Sequence, residues 1–162
     1  MTEQLEIPPR GTRGRRVTDV FFRLLKPLSA GQVSRYRKNA SAEPPKMGKV
    51  PLVLLTPVGA RTGRERTSVL GGFEERDGSW LVVGSKGGSA THPSWFINLA
   101  RNPDKVWLEI GNRKIKVRPE LLKADDYEAA YNRVVEDSRQ YGGYRKVTDR
   151  KIPVVRLTAD SP

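Results

Sequence analysis

Five short pieces follow one another without interruption: Pro51-Leu-Val-Leu-Leu-Thr56, Pro57-Val-Gly-Ala-Arg-Thr-Gly-Arg-Glu-Arg66, Thr67-Ser-Val-Leu-Gly-Gly-Phe73, Glu74-Glu-Arg-Asp-Gly-Ser79 and Trp80-Leu-Val-Val-Gly84. The first, third and fifth are apolar or β-branched runs of strand length, and the pieces between them carry Gly, Pro and charge. Asp77-Gly78 is the pair that a tight hairpin favours, because the central positions of that turn need positive φ. Lys105 to Ile110 and Lys114 to Leu121 form a second hairpin across Gly111-Asn112, with Trp107 turned inward, and Ile152 to Leu157 closes the chain as a strand. Thr91 to Arg101 reads as a helix with Pro93 in its first turn and Asn102-Pro103 as its stop. Ala124 to Ser138 reads as another, with Tyr127, Ala130, Tyr131, Val134 and Val135 on its apolar face. Antiparallel strands with two interspersed helices and no βαβ rhythm predict an α+β fold, a small barrel of about six mainly antiparallel strands with flanking helices.

The chain has 162 residues, 30 Lys+Arg against 18 Asp+Glu, and a formal charge of +12, which points to an anionic partner. Zero cysteines exclude disulfides, thiolate metal sites and cysteine nucleophiles, and the single histidine, His92, leaves little room for a metal centre. The longest apolar run, Val50 to Val58, holds two prolines and falls short of the ~18–20 residues of a spanning helix. With no apolar leader after the N-terminal arginines, the expected location is the cytoplasm.

Residues 1–49 carry 11 basic and 4 acidic side chains, so the positive charge is concentrated in the first third. Met1 to Gly14 reads as a flexible arm. Val17 to Tyr36 reads as a basic N-terminal helix with Val17, Val20, Phe21, Leu24, Leu25 and Leu28 at helical spacing, which Pro27 should kink or end. Its apolar face can dock on the core, or lie on an anionic membrane with Arg23 and Lys26 snorkelling. Ser41 to Lys49, with Pro44 and Pro45, reads as a linker. The division is therefore residues 1–49 as arm, helix and linker and residues 50–162 as the barrel.

Three segments can carry function. Gly59-Ala-Arg-Thr-Gly-Arg-Glu-Arg-Thr67 presents three guanidiniums around a glycine, able to converge on a phosphate or carboxylate, although a solvated hairpin with dispersed charge explains it equally. Gly84-Ser-Lys-Gly-Gly-Ser-Ala-Thr-His-Pro-Ser94 runs from a strand end through a glycine pair into a helix start, which suits an anion or, as simply, a tight turn. The spacing is not that of a Walker loop. Tyr141-Gly-Gly-Tyr144 reads as a mobile segment whose rings can cover a flat apolar substrate or pack in the core. Ser85 and Ser94 have no general base besides His92, which reads as a cap or packing contact, so a bound cofactor is expected to supply the chemistry.

Leu54-Leu-Thr-Pro-Val-Gly-Ala-Arg-Thr-Gly-Arg-Glu-Arg66, Val83-Gly-Ser-Lys-Gly-Gly88, His92-Pro-Ser-Trp-Phe-Ile-Asn-Leu99, Asn102-Pro103 and Thr148-Asp-Arg-Lys-Ile-Pro-Val-Val155 together resemble the deazaflavin-dependent nitroreductase family over about Val50 to Leu157. The resemblance implies a split β-barrel, reduced coenzyme F420, and hydride transfer from carbon 5 of the deazaflavin to a quinone, menaquinone among them, or to a nitro or unsaturated acceptor. It implies that Arg61, Thr62 and Arg66, with Ser85, Lys86, Gly87 and Gly88, hold the coenzyme's phosphate and acidic tail. By the same likeness Trp95 and Asn98 lie near the ring system, Tyr141 and Tyr144 close the substrate side with Trp95, and Ser85 or Tyr144 hands on the proton.

The chain departs from the family pattern at Ala60, where one positive charge is lost and Arg64 stands to restore it, and at Ser138, which occupies a place that can hold another tyrosine. Gly71 and Gly72 predict either an enlarged pocket or a β-bulge. An FMN-dependent enzyme on the same barrel is the nearest alternative, although two cationic loops suit a long anionic tail better than one phosphate. A basic membrane- or nucleic-acid-binding module is a further one; for nucleic acid, the aromatics are poorly interleaved with the basic run. Peripheral contact with an anionic membrane is expected through residues 10–40.

Overall fold

A computed structural model describes residues 3–24 and 26–161, with residues 21–23 and 26–29 described by their backbone alone. Eight strands are present: β1 (Lys46–Met47), β2 (Val50–Pro57), β3 (Ser68–Gly71), β4 (Phe73–Glu74), β5 (Trp80–Val83), β6 (Val106–Ile110), β7 (Arg113–Leu121) and β8 (Val154–Ala159). Five helices accompany them: α1 (Arg16–Leu24), α2 (Lys26–Lys38), α3 (Ser94–Arg101), α4 (Ala124–Asp137) and α5 (Gln140–Val147). The strands form one antiparallel sheet in the order β1-β2-β6-β7-β8-β5-β4, with β3 also paired to β2. The first half of β7 pairs with β6 through Lys116, and the second half pairs with β8 from Val117 onward. One long strand shared between two neighbours in this way curls the sheet into a half-barrel.

Burial explains the strands. β6 alternates, with Val106, Leu108 and Ile110 buried and Trp107 and Glu109 between them on the other face. Trp107 therefore does not point inward as expected: in a period-2 strand it cannot share a face with Val106 and Leu108. Val53, Leu55, Val82, Leu108, Val117 and Leu157 fill the barrel against Trp95, Phe96 and Leu99 of α3. The outer face of β5 and β8 packs under Tyr127, Tyr131 and Val134 of α4. Two of the eight strands have only two residues each, which are too short to be read from periodicity; one of them, β1, turns the expected linker into a hairpin arm through Gly48 at φ 64°.

The helix predicted over 17–36 is split into α1 and α2, and Pro27 stands in the first turn of α2, where its missing N–H costs nothing. Of its predicted apolar positions, Leu25 and the side chains of Phe21 and Leu28 lie outside the described residues. α2 docks on the barrel through Val33 and Tyr36. The Tyr36 hydroxyl donates to the Leu52 carbonyl at 2.8 Å and accepts the Gly111 N–H at 2.9 Å.

Residues 3–14, read from the sequence as a flexible arm, are tied to the barrel. The N–H of Leu5 donates to the carbonyl of Ala100 at 2.9 Å and that of Gly11 to Ala90 at 2.8 Å. The Asp149 carboxylate accepts the N–H groups of Thr12 and Arg13 at 2.9 and 2.8 Å. His92 makes a further tie, its Nε2 lying 2.7 Å from the Pro8 carbonyl and its Nδ1 2.9 Å from an Arg150 guanidinium nitrogen. A carbonyl only accepts and a guanidinium only donates, so the ring is neutral with its proton on Nε2. Burial holds its pKa below the ordinary value, and the Arg150 charge adds to the depression.

Two outcomes follow from these contacts. Tyr36→Phe leaves the buried Gly111 N–H unpaired, and urea unfolding should show a loss of about 1–3 kcal/mol. The unfolded chain protonates His92 near its ordinary pKa of ~6.5 while the folded chain resists, so stability is full above that pH and declines below it, until the lowered folded pKa is passed. His92 is the chain's single histidine, so a fall in the urea midpoint between about pH 7.5 and 5.5 that is reduced in His92→Gln is the expected result.

Candidate active site

The segment Pro57–Arg66 is a tight hairpin: Gly59 N–H donates to Arg64, Arg66 N–H to Pro57, and Gly63 takes φ 69° at the tip. Backbone pairing consumes the inner polar groups, so Arg61, Thr62, Arg64 and Arg66 project into solvent. The Thr62 hydroxyl accepts the Arg64 N–H at 3.3 Å, which places it in the turn itself. Asn98 in α3 holds this hairpin, its side-chain oxygen accepting the Ala60 N–H at 3.0 Å. Asn98 thus serves the loop's backbone, and the resemblance had placed it beside a ring system.

The second loop leaves β5 at Gly84 and turns sharply before α3. Lys86, Gly87 and Gly88 take φ 44°, 61° and 86° in succession, a left-handed run that only glycine adopts without strain. A Cβ on Gly87 would lie 2.8 Å from the Thr18 methyl of α1, and one on Gly88 would lie 2.4 Å from a Val147 methyl of α5. Both glycines therefore admit close approach of a neighbour. The Ser85 side chain makes no capping bond to the turn, although the residue is buried.

Asp19 of α1 reaches into this turn. Its carboxylate accepts the Ser89 hydroxyl at 2.7 Å and the Thr91 hydroxyl at 3.1 Å and lies 3.1 Å from the Lys86 ammonium. The Ser89 hydrogen bond is the main reason its carboxyl group titrates below the usual range. Lys86 also donates to Thr91 at 2.8 Å. A carboxylate of the chain itself is thus held at the turn by a cation and two hydroxyls.

Tyr141-Gly-Gly-Tyr144, expected to be mobile, lies within α5. Tyr141 packs edge-on against Phe73 and Tyr144, at centroid distances of 5.6 and 5.4 Å, and its carbonyl accepts the Tyr131 hydroxyl at 2.7 Å. Burial pushes the Tyr141 phenol up to about 12, so it stays protonated. The backbone of Tyr144 passes over Gly88, which brings the late tyrosines and the glycine turn together. Trp95 belongs to the barrel core, in edge contact with Phe96 at 6.2 Å.

Gly71 and Gly72 leave no enlarged pocket. A Cβ on Gly71 would meet Val50 at 3.0 Å and the Tyr141 hydroxyl at 3.3 Å, and one on Gly72 would meet Trp80 at 2.9 Å. These glycines buy close packing of the ring on the strand. Ser138 ends α4, its N–H donating to Val134 at 2.8 Å.

The two cationic loops share α3 as a scaffold: one leads into its first turn and the other hangs from Asn98, four residues or about one turn along. Sequence reading gave no role to Asp19, Ser89, Thr91 or Arg150. Ser89 and Thr91 lie within the glycine segment and Arg150 within the Thr148–Val155 stretch, but only folding brings Asp19 and Arg150 to the turn.

Comparison with known proteins gives the family. A model of the F420H(2)-dependent quinone reductase family matches residues 29–159. An F420H(2)-dependent quinone reductase of Mycobacterium tuberculosis is 38% identical over 115 residues, covering 68% of this chain and 75% of the relative. A second, putative one from the same organism is 30% identical over 108 residues, covering 67% and 89%. Among solved structures, an F420-H2 dependent reductase superposes with TM-score 0.61 at 35% identity over 67% of this chain and 94% of its own. HutZ, the heme storage protein of Vibrio cholerae, shares the fold alone, at TM-score 0.52 and 14% identity over 82% of this chain and 90% of its own. The chain belongs to the F420H(2)-dependent quinone reductase family.

Proposed function

We propose that this protein uses reduced coenzyme F420 to reduce a quinone, with menaquinone and nitro or unsaturated compounds as candidate acceptors, while α1 rests on an anionic membrane surface. The observation that carries the reading is the Asp19 carboxylate seated among Lys86, Ser89 and Thr91. A site that binds a carboxylate in this way fits a coenzyme with a phosphate and an acidic tail. When bound, F420H2 supplies a hydride from its deazaflavin ring.

The chain's own residues bind and orient. Arg61 and Arg66 offer forked donors at an exposed hairpin tip, and Thr62 shapes that tip. Lys86 releases Asp19 and takes the incoming anion, and Gly87 and Gly88 keep the turn in its left-handed form. The Ser85 hydroxyl is free of the turn and available to an acceptor oxygen, where a hydrogen bond stabilises developing negative charge. Tyr144 bounds the same turn from α5, backed by Tyr141, and its amphipathic ring suits a flat substrate.

Membrane contact is supported by α1. Val17, Val20 and Leu24 recur on one face and are 81%, 59% and 72% exposed, while Thr18 and Asp19 face the glycine turn. Arg13, Arg15 and Arg16 are exposed beside that stripe. An apolar stripe rimmed by arginine suits the headgroup boundary of an anionic bilayer, where a quinone resides. No helix among the described residues is long and apolar enough to cross a membrane.

Fluorescence titration should show F420 binding that weakens with added salt, and Lys86→Ala should raise the Kd by about tenfold or more, the effect of losing a charge-assisted hydrogen bond. Tighter binding of FMN than of F420 overturns the coenzyme assignment. In flotation with phosphatidylglycerol vesicles, Val17→Ser/Val20→Ser/Leu24→Ser should lose the membrane fraction while keeping wild-type turnover with water-soluble menadione. Equal flotation of the triple variant refutes the membrane contact.

A further inference from the structure

Arg150 is 4% exposed, and a cation so placed ordinarily has a carboxylate beside it. Here its partners are neutral acceptors. Nε donates to the Ser89 carbonyl at 2.9 Å, one terminal nitrogen to the Gly84 carbonyl at 3.0 Å and His92 Nδ1 at 2.9 Å, and the other to the Ser85 carbonyl at 2.9 Å. Thr148 fixes the approach, its hydroxyl accepting the Arg150 N–H at 3.1 Å. Three of the four bonds thus go to one short stretch, the loop that carries Ser85, Lys86, Gly87 and Gly88.

Peptide geometry gives this a consequence. The described chain has no cis peptide bond, and in a trans peptide the N–H points opposite to the C=O. Because the Gly84 and Ser85 carbonyls turn inward to the guanidinium, the N–H groups of Ser85 and Lys86 turn away from it. Successive N–H groups beside left-handed residues form the concave nest that receives anions. The left-handed φ of 44° at Lys86, a non-glycine residue, is a strained conformation that surrounding structure must impose. A lysine could not impose it, since one ammonium cannot reach acceptors spread around a planar fork.

We infer that Arg150 is a positioning residue of the coenzyme site: its buried guanidinium turns the Ser85 and Lys86 N–H groups outward and holds the Lys86–Gly88 turn ready for an anionic oxygen of F420. This rests on the coenzyme reading above. The charge adds to the effect, since a buried cation beneath the turn is screened by salt less than Arg61 or Arg66 at the surface.

The test uses the full-length protein with Arg150→Lys, which keeps charge without the fork, and Arg150→Met, which removes both. Hydrogen exchange of amides 84–90 without coenzyme, thermal melting, F420 Kd, and KM and kcat with F420H2 and menadione are measured on each. The expected result is faster loop exchange and a rise of about tenfold or more in Kd and in KM for F420H2, the effect of losing hydrogen bonds from a charged group. Corrected for folded fraction, kcat should change less. Should Arg150→Met not fold, Arg150→Lys decides alone. Wild-type KM with kcat reduced only in proportion to unfolded protein overturns the role, because that is what a merely structural arginine predicts. A wild-type protein that does not bind F420 overturns the coenzyme reading and this role with it; variants that bind F420 as the wild type does overturn the role alone.

Discussion

A buried guanidinium without a carboxylate beside it must draw its hydrogen bonds from backbone carbonyls, and in this protein that requirement organises the site. Arg150 stands just before β8 and reaches the end of β5, the glycine turn and His92 ahead of α3. Burial pushes its pKa down to about 10, still above neutrality, so the charge persists where it sits. His92 passes the same constraint outward: accepting from Arg150 on one nitrogen, it must donate from the other, and the Pro8 carbonyl receives that bond. One side chain thereby couples the turn to the N-terminal segment.

That segment also closes over the glycine turn. α1 lies over the turn with Thr18 against Gly87 and Asp19 among Lys86, Ser89 and Thr91. A partly exposed ion pair of this kind is worth little net free energy. The opposite face of α1 carries the exposed Val17, Val20 and Leu24. The same short helix touches the glycine turn on one side and faces outward with apolar side chains on the other.

Much of the barrel was legible because its strands obey simple rules. The Asp77-Gly78 turn, the hairpin over Gly111-Asn112 and the apolar runs of β2, β5 and β8 all lie where their patterns place them. The failures share a cause. Trp107 reads as core by size, yet its neighbours Val106 and Leu108 claim the inner face. Gly142 and Gly143 read as a flexible joint, yet α5 is held by Tyr141 against Phe73, by the Tyr131 hydroxyl and by Arg145 stacked 4.6 Å from the Tyr131 ring. Gly71 and Gly72 read as either an enlarged pocket or a β-bulge, and the space beside them is filled by Val50, Tyr141 and Trp80. In each case contacts between residues distant in sequence outweighed a local propensity.

By itself the sequence determined the α+β class, the main strands and hairpins, the two cationic loops and the family they belong to. These follow from periodicity, turn chemistry and charge, which act between residues near each other in the chain. Only the tertiary structure decided that Asp19, 67 residues before Lys86, pairs with it, that Asn98 supports a loop, and that Arg150 takes the carbonyls of the turn that follows β5. Hydrogen-bond acceptors are shared out by where the folded backbone puts its carbonyls, and no local pattern of residues encodes that.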